Sequence, residues 1–255
     1  QPPCRRATQD GPVDTPVRMT RPDTNADAFF PAAVVWDLDG TLVDSAADLA
    51  TALNALLVEQ GQRTHAVDQV RPMIGHGVAK LVERGFRAAG ATLDRAEVEQ
   101  LLPRFMTLYT ACATDQTHLI DHARDVLEHF YHAGVPQGLC TNKPEGVTRQ
   151  ILQALDIAGF FSAVIGGDST TARKPDPLPL QTCLQQLGTE PAQGLMIGDS
   201  GADVGAAQAA GVAVVMVPDG YTGVPAESLG ADWVVGRLAD VAALFSPPGP
   251  LRHSA

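Results

Sequence analysis

The stretch Val34-Val35-Trp36-Asp37-Leu38-Asp39-Gly40-Thr41-Leu42-Val43-Asp44-Ser45 decides how this chain folds. Val34 to Trp36 is an apolar run that reads as a buried strand, and Gly40 and Thr41 bend the chain away from it. Asp37 and Asp39 therefore fall at the strand's C-terminal end, the edge at which open α/β sheets bind ligands. Side chains two residues apart on extended backbone point to one side. Two carboxylates placed so can divide labour, one as nucleophile or metal ligand and the other giving and taking a proton. An Asp-rich turn is also simply a good turn, so D-x-D-G-T alone leaves both readings open. An EF-hand loop fits poorly, because it wants Asp or Asn where Thr41 stands.

Downstream, Ser45-Ala46-Ala47-Asp48 has the S-x-x-D pattern of a capping box and predicts a helix start. Leu49, Leu53, Leu56 and Leu57 then share one helical face, with Gly61 as C-terminal cap. Val78, Leu81, Val82 and Phe86 form a second stripe, and Val98, Leu101, Leu102, Phe105 and Leu108 a third. No strand is expected between residues 45 and 118, so this span reads as a helical insertion. From residue 120 onward, helices at 123–133, 145–155, 178–187 and 204–210 alternate with strands ending at Thr141, at 163–165, 195–197, 212–217 and 233–235. Strands separated by helices imply a parallel sheet covered on both faces. The expected fold is α/β, a doubly wound Rossmann-like core formed by 31–44 and 119–246, with the small helical domain 45–118 inserted as a cap.

The flanks read differently. Residues 1–30 carry five prolines and almost no large apolar residue before Phe29, and they predict a disordered arm; 247–255 predicts a disordered tail. Their four aspartates are wrong for an organellar presequence, and Met19 is the expected natural start. With 45% hydrophobic residues among 255 the chain can pack a sizeable core. A net charge of −11 opposes binding to nucleic acid. No apolar run approaches the ~20 residues that cross a bilayer. Cys4, Cys112, Cys140 and Cys183 are widely spaced without a C-x-x-C pair, which suits free thiols in a reducing compartment. A cytoplasmic protein, monomer or homodimer, is expected.

Other polar groups gather at the same sheet edge: Thr141 with Asn142 and Lys143, Lys174 in R-K-P-D-P, and Asp199 and Asp203 in G-D-S-G-A-D. Each alone has a structural explanation, as a strand end, a loop lysine or a helix cap. In this order and register they resemble the haloacid dehalogenase-like hydrolase superfamily, whose motifs are D-x-D-G-T, a strand-end Thr or Ser, a Lys and G-D-x-x-x-D. Within it the chain is most similar to the phosphoglycolate phosphatase family, through I-G-H-G-V-A-K-L-V-E-R at 74–84, T-N-K-P at 141–144, L-D-I-A-G-F-F at 155–161 and I-G-G-D at 165–168. One departure is Ile120-Asp121-His122, where many relatives have a Pro-Gly turn.

The resemblance implies hydrolysis of a phosphomonoester through an aspartyl-phosphate. Asp37 attacks phosphorus, while Asp39 protonates the leaving alkoxide and later deprotonates the water. A phosphate dianion beside carboxylates is repelled by about 4 kcal/mol per charge pair at ~4 Å and an effective dielectric of about 20. Mg2+ held by Asp37, the Asp39 backbone carbonyl and Asp199 offsets this. Lys174, Thr141 and Asn142 are expected on the phosphoryl oxygens, and Asp203 near the metal through water or against Lys174. The resemblance also implies a cis Lys174–Pro175 bond. His118, His122, His129 and His132 flank an apolar helix face or lie beside it and read as structural rather than as a zinc site, and Cys140 as a small buried hydrophobe.

A dehalogenase has no need of an acid at Asp39 or of magnesium, and a binding module has no reason to keep the catalytic aspartates; a phosphosugar mutase keeps all four motifs. The expected partner is a small phosphorylated metabolite. Specificity must come from the cap, where His76 with the N–H groups around Gly75 and Gly77, and Lys80 or Arg84 beyond them, are anion-binding groups. Together with the resemblance they imply 2-phosphoglycolate, the alternatives being sugar or amino-sugar phosphates and pyrophosphate.

Overall fold

The computed structural model describes residues 18–19, 29–218, 220–221 and 223–245. In chain order the elements are β1 (Arg18–Met19), β2 (Ala33–Trp36), β3 (Val43–Asp44), α1 (Ala46–Glu59), α2 (Val67–Val70), α3 (Val78–Ala89), α4 (Arg95–Cys112), β4 (His118–Leu119) and α5 (Ala123–His132). There follow β5 (Gln137–Cys140), α6 (Glu145–Ala154), β6 (Ala163–Ile165), α7 (Leu178–Gln186), β7 (Gly194–Gly198), α8 (Gly201–Ala210), β8 (Ala213–Met216), β9 (Trp233–Val234) and α9 (Asp240–Leu244).

A seven-stranded sheet runs β1-β9-β8-β7-β2-β5-β6, parallel throughout except for β1. The period of two along β2 shows why it lies at the centre. Val34 and Trp36 face one apolar cluster with Val126, Leu127 and Phe130 of α5 and Ile151 of α6. Ala33 and Val35 face the other, with Leu180 and Leu184 of α7 and Val204 and Ala207 of α8. Both faces are therefore dry, as a parallel sheet requires. The polar ends on the first face are matched: the Trp36 indole donates to Gln137 at 2.9 Å, and the Gln137 amide donates to the Leu127 carbonyl at 2.9 Å. The doubly wound α/β expectation stands, and β2, flanked by β5 and β7, opens the crevice at their C-terminal ends.

The helical insertion lies between β3 and β4, which pair antiparallel where the chain leaves and re-enters the core. The stripes of α1, α3 and α4 meet inside it, with Phe105 and Tyr109 stacked at 5.9 Å. Gly85 lets α3 lie directly on α1, since a Cβ there would come within 2.7 Å of the Leu53 side chain. The cap interior is continuous with the apolar cluster on the Trp36 face of the sheet. At the return, His122 takes a left-handed φ of 66°, a conformation that suits the glycine of the family's turn and that histidine tolerates better than most residues.

Two expectations are corrected. The capping box at α1 does not form. Ser45 donates instead to Asp39 Oδ1 at 2.6 Å, while Asp48 accepts from the Gln116 and Thr117 N–H groups and from the Thr117 hydroxyl at 2.7 Å. Asp48 is wholly buried and needs several donors, which the returning chain supplies; Asp44 takes the Ala46 N–H at 3.1 Å in its place. The disordered tail and most of the disordered arm lie outside the described residues. Within the arm, however, Arg18–Met19 pair with β9 and Phe29 stacks on Trp233 at 6.1 Å, so the expectation of disorder is corrected at these residues. Here apolar contact at a sheet edge outweighs the polar composition of the surrounding stretch.

Candidate active site

The loop after β2 is held by its own backbone. The Leu42 and Val43 N–H groups donate to the Leu38 carbonyl at 2.9 and 3.0 Å, and Gly40 donates to Val43 at 2.9 Å. Gly40 has φ +86°, and a Cβ on it would stand 2.6 Å from Asp199 Oδ2, so both conformation and space demand glycine. This folds Asp37 and Asp39 back toward the ends of β5 and β7.

Lys174 reaches in from the loop before α7, across a cis Lys174–Pro175 bond, and donates to Asp37 Oδ1 at 2.9 Å and Asp203 Oδ1 at 2.6 Å. Its side chain is 2% exposed. Burial alone would neutralise it, but the Asp203 and Asp37 carboxylates hold it protonated well above the ordinary lysine range. Burial also pushes Asp37 up to about 6, with Asp203 adding repulsion and Lys174 only partly opposing it. Asp199 is raised well above the carboxylate range by burial, then by Asp37 and Asp203; it accepts the Tyr221 N–H at 2.8 Å and the Thr41 hydroxyl at 3.5 Å but, among the described residues, pairs with no ammonium.

One oxygen from each of Asp37, Asp199 and Asp203 lies within 4.8 Å of the others. Three buried carboxylates facing one lysine form an oxygen donor set short of positive charge, which fits a hard divalent cation such as Mg2+. The Asp39 side chain is absent from this group. Its Oδ1 is bound by Ser45 and Lys143. Asp203 orients Lys174 and Ser200 as well as completing the trio.

Thr141 stands at the end of β5, buried, and accepts the Lys143 N–H at 3.2 Å, which leaves its own hydroxyl hydrogen to donate. The Asn142 side chain turns to the cap and to the lysine loop. Its amide donates to the Gly75 carbonyl of the cap at 3.1 Å and to the Lys174 carbonyl at 3.0 Å, so both hydrogens bind backbone and neither is left for a phosphoryl oxygen. Gly167 makes room for this strand end, since a Cβ there would lie 2.2 Å from the Asn142 carbonyl.

A small cavity of about 30 Å3 lies over Asp37 and Asp39, its cap wall formed by Leu49, Ile74, Gly75, Gly77, Val78 and Leu81. Gly77 has φ +83°, and a Cβ on it would lie 3.4 Å from the Asn142 carbonyl oxygen. His76 does not line this cavity. It is exposed and lines a larger one of about 470 Å3 beside Arg84, Asp199 and Ser200. The reason is local: between two glycines of positive φ the loop turns the Ile74 side inward and the His76 side outward. Arg84 donates to the Met73 carbonyl at 3.0 Å and Lys80 pairs with Glu83 at 2.7 Å, so both brace the cap. The sequence reading placed Ser45 only as a helix cap and assigned no task at the site to Lys143, Tyr109 or Tyr221; only the position of Lys143 after Thr141-Asn142 could have marked it. Cys140 has its thiol pushed up to about 12 by burial and is no nucleophile. His129 bonds the Phe245 carbonyl and His122 bonds Asp125. No described helix is long and apolar enough to cross a membrane.

A buried aspartate at a β-strand end, a buried lysine across a carboxylate trio and a helical cap fit a hydrolase of the haloacid dehalogenase-like class. Residues 34–217 match the family of that description, the haloacid dehalogenase-like hydrolases. The phosphoglycolate phosphatase of Caulobacter vibrioides is 40% identical over 82% of this chain and 89% of its own length. That of Rhodospirillum rubrum is 39% identical over 87% and 93%. The crystal structure of a predicted phosphoglycolate phosphatase from Haemophilus somnus superposes with a TM-score of 0.77 at 31% identity, covering 84% of this chain and 97% of that one. The chain belongs to the haloacid dehalogenase-like hydrolase family and, within it, to the phosphoglycolate phosphatases: it is a phosphatase.

Proposed function

We propose that the protein hydrolyses 2-phosphoglycolate to glycolate and phosphate, with Mg2+ as cofactor and an aspartyl-phosphate on Asp37 as intermediate. The placement of Asp37 carries this reading: its carboxylate lies at the sheet edge against Lys174, beside Thr141 and beneath a cavity that the cap closes. Asp37 forms its bond to phosphorus as the bond to the leaving oxygen breaks. Asp39 gives that oxygen a proton, and then removes one from the water that hydrolyses the acyl-phosphate. Lys174 and the Thr141 hydroxyl supply positive charge and a hydrogen bond to the transferring group. Asp37, the Asp39 carbonyl and Asp199 would hold the Mg2+, which neutralises phosphate charge when bound.

The size and lining of the closed cavity favour a short leaving group. At about 30 Å3 it is small, and its cap wall of Leu49, Ile74, Val78 and Leu81 leaves little room for a bulky alcohol over Asp39. The names of the relatives point to the same ester. The test is a comparison of kcat/KM for 2-phosphoglycolate, sugar phosphates, nucleotides, pyrophosphate and amino-sugar phosphates, with and without Mg2+. A sugar phosphate or nucleotide ahead of phosphoglycolate by about tenfold, a discrimination worth about 1.4 kcal/mol, would refute the assignment.

A further inference from the structure

The reaction as derived leaves a second buried ammonium without a task. Lys143 has a side chain only 2% exposed, yet its amine lies beside the reacting groups. Lys143 Nζ donates to Asp39 Oδ1 and to Ser45 Oγ at 3.2 Å, and Ser45 Oγ donates to the same Asp39 Oδ1 at 2.6 Å. The ring of Tyr109, from cap helix α4, lies 5.2 Å from the amine, measured to its centroid, a cation–π contact that fixes the lysine from the other side. Asp39 Oδ2 takes no hydrogen bond among the described residues.

One oxygen of Asp39 is therefore tied by two donors and the other is left to the reaction. A carboxylate on a single donor can rotate about its Cβ–Cγ bond, whereas two donors converging on one oxygen fix its plane. General acid catalysis depends on such placement, because the proton must lie within about 2.6–3.2 Å of the atom that receives it.

We propose that Lys143 is a positioning residue for Asp39: together with Ser45 it anchors Oδ1 so that Oδ2 presents its proton to the leaving oxygen, with Tyr109 holding the lysine when the cap is closed. This rests on the assignment of Asp39 as the acid and base, and it goes beyond that assignment by naming what aims it. Lys143 makes no bond to phosphorus and carries no proton to the leaving group.

The test separates aim from mere structural support by the nature of the leaving group. kcat/KM reports the steps up to departure of the alcohol. An alkyl alkoxide needs a proton to leave, whereas p-nitrophenolate does not. In full-length Lys143→Met, kcat/KM for an alkyl phosphate should fall about 30-fold or more, a large part of the roughly 100- to 10,000-fold that general acid catalysis supplies, while that for p-nitrophenyl phosphate falls less than about 3-fold. Made in an Asp39→Asn background, the same change should alter alkyl hydrolysis by less than about 2-fold, because two residues acting as one unit are not additive. Equal losses on both esters, or a full additional loss in the Asp39→Asn background, would overturn the proposal. A loss with 2-phosphoglycolate but none with ethyl phosphate would make Lys143 a ligand of the substrate carboxylate and overturn it equally. Should Lys143→Met fail to fold, Ser45→Ala removes one of the two donors; it should show the same alkyl-selective loss at about 5-fold, the scale of one hydrogen bond, and an equal loss on both esters there has the same force. The alkyl substrate is whichever ester the unaltered enzyme hydrolyses best, so a wrong substrate assignment shows in that protein alone.

Discussion

Asn142 of the core donates its side-chain amide to the carbonyl of Gly75 in the cap at 3.1 Å, and the second hydrogen of the same amide reaches the carbonyl of Lys174 at 3.0 Å. One residue thus joins the closed cap loop to the peptide that carries the active-site lysine. Asn142→Ala removes both bonds and should weaken closure rather than chemistry at phosphorus. A net hydrogen bond is worth about 0.5–1.5 kcal/mol, so KM should rise about 2- to 10-fold with a smaller change in kcat. Steady-state kinetics with the preferred substrate checks this, and an unchanged KM counts against the latch.

Asp37→Asn should abolish turnover without unfolding the protein. The nucleophile's charge disappears, but burial and Asp203 already make that charge costly, as its pKa of about 6 shows. In metal-free protein at neutral pH the variant should therefore melt no lower than the unaltered chain. Acid quenching during turnover should trap phospho-enzyme in the unaltered protein and none in the variant.

The metal-free protein should lose stability as pH rises from about 4 to about 7, the range running from the ordinary aspartate value of 3.8 through the raised value of about 6 for Asp37. The sign follows from proton counting. An acid whose pKa is higher folded than unfolded binds more protons when folded, so its stabilisation is complete below the unfolded pKa and is lost as pH climbs through the folded one. Asp199, raised in the same direction, adds to the effect. Mg2+ competes with those protons, so the rise in melting temperature on adding Mg2+ should be larger at pH 7.5 than at pH 5. Thermal melts with EDTA and with Mg2+ at the two pH values decide it.

Lys174→Met should destabilise the fold as well as stop catalysis. It leaves Asp37 and Asp203 facing each other in a site where the lysine side chain was 2% exposed. Breaking a buried pair by removing one partner costs about 3–5 kcal/mol. Adding Asp203→Asn should recover part of the stability but none of the activity, as read by denaturant unfolding and phosphate release.

His76→Ala should leave kcat/KM for 2-phosphoglycolate within about 3-fold, because its exposed side chain lies outside the cavity over Asp37 and Asp39. The side chain is exposed and lines the cavity next to Ser200 and Arg84 instead of the one over Asp39. A tenfold loss of selectivity for the carboxylate would return His76 to the role its sequence position suggests.

The sequence by itself determined the alternation of strand and helix, the placement of the insertion after the first strand, and the alignment of Asp37, Thr141, Lys174 and Asp199 on one sheet edge. These were legible because they follow from short-range physics: period two along Ala33–Trp36, helical stripes such as Val78 to Phe86, and turns set by Gly40 and by the G-D-S motif. Tertiary structure alone decided where the polar side chains of those elements point. Ser45 and Asp48 have the spacing of a capping box, yet Ser45 bonds back to Asp39 and Asp48 binds Thr117, 69 residues away. Asn142 closes the cap, Lys143 meets Asp39 across 104 residues, and His76 turns outward although Gly77 turns in. A helix cap is worth about 1 kcal/mol, whereas leaving a buried carboxylate or ammonium unmatched costs several. Where local preference and long-range pairing compete for the same side chain, burial settles the matter, and which groups are buried together is known only once the chain has folded.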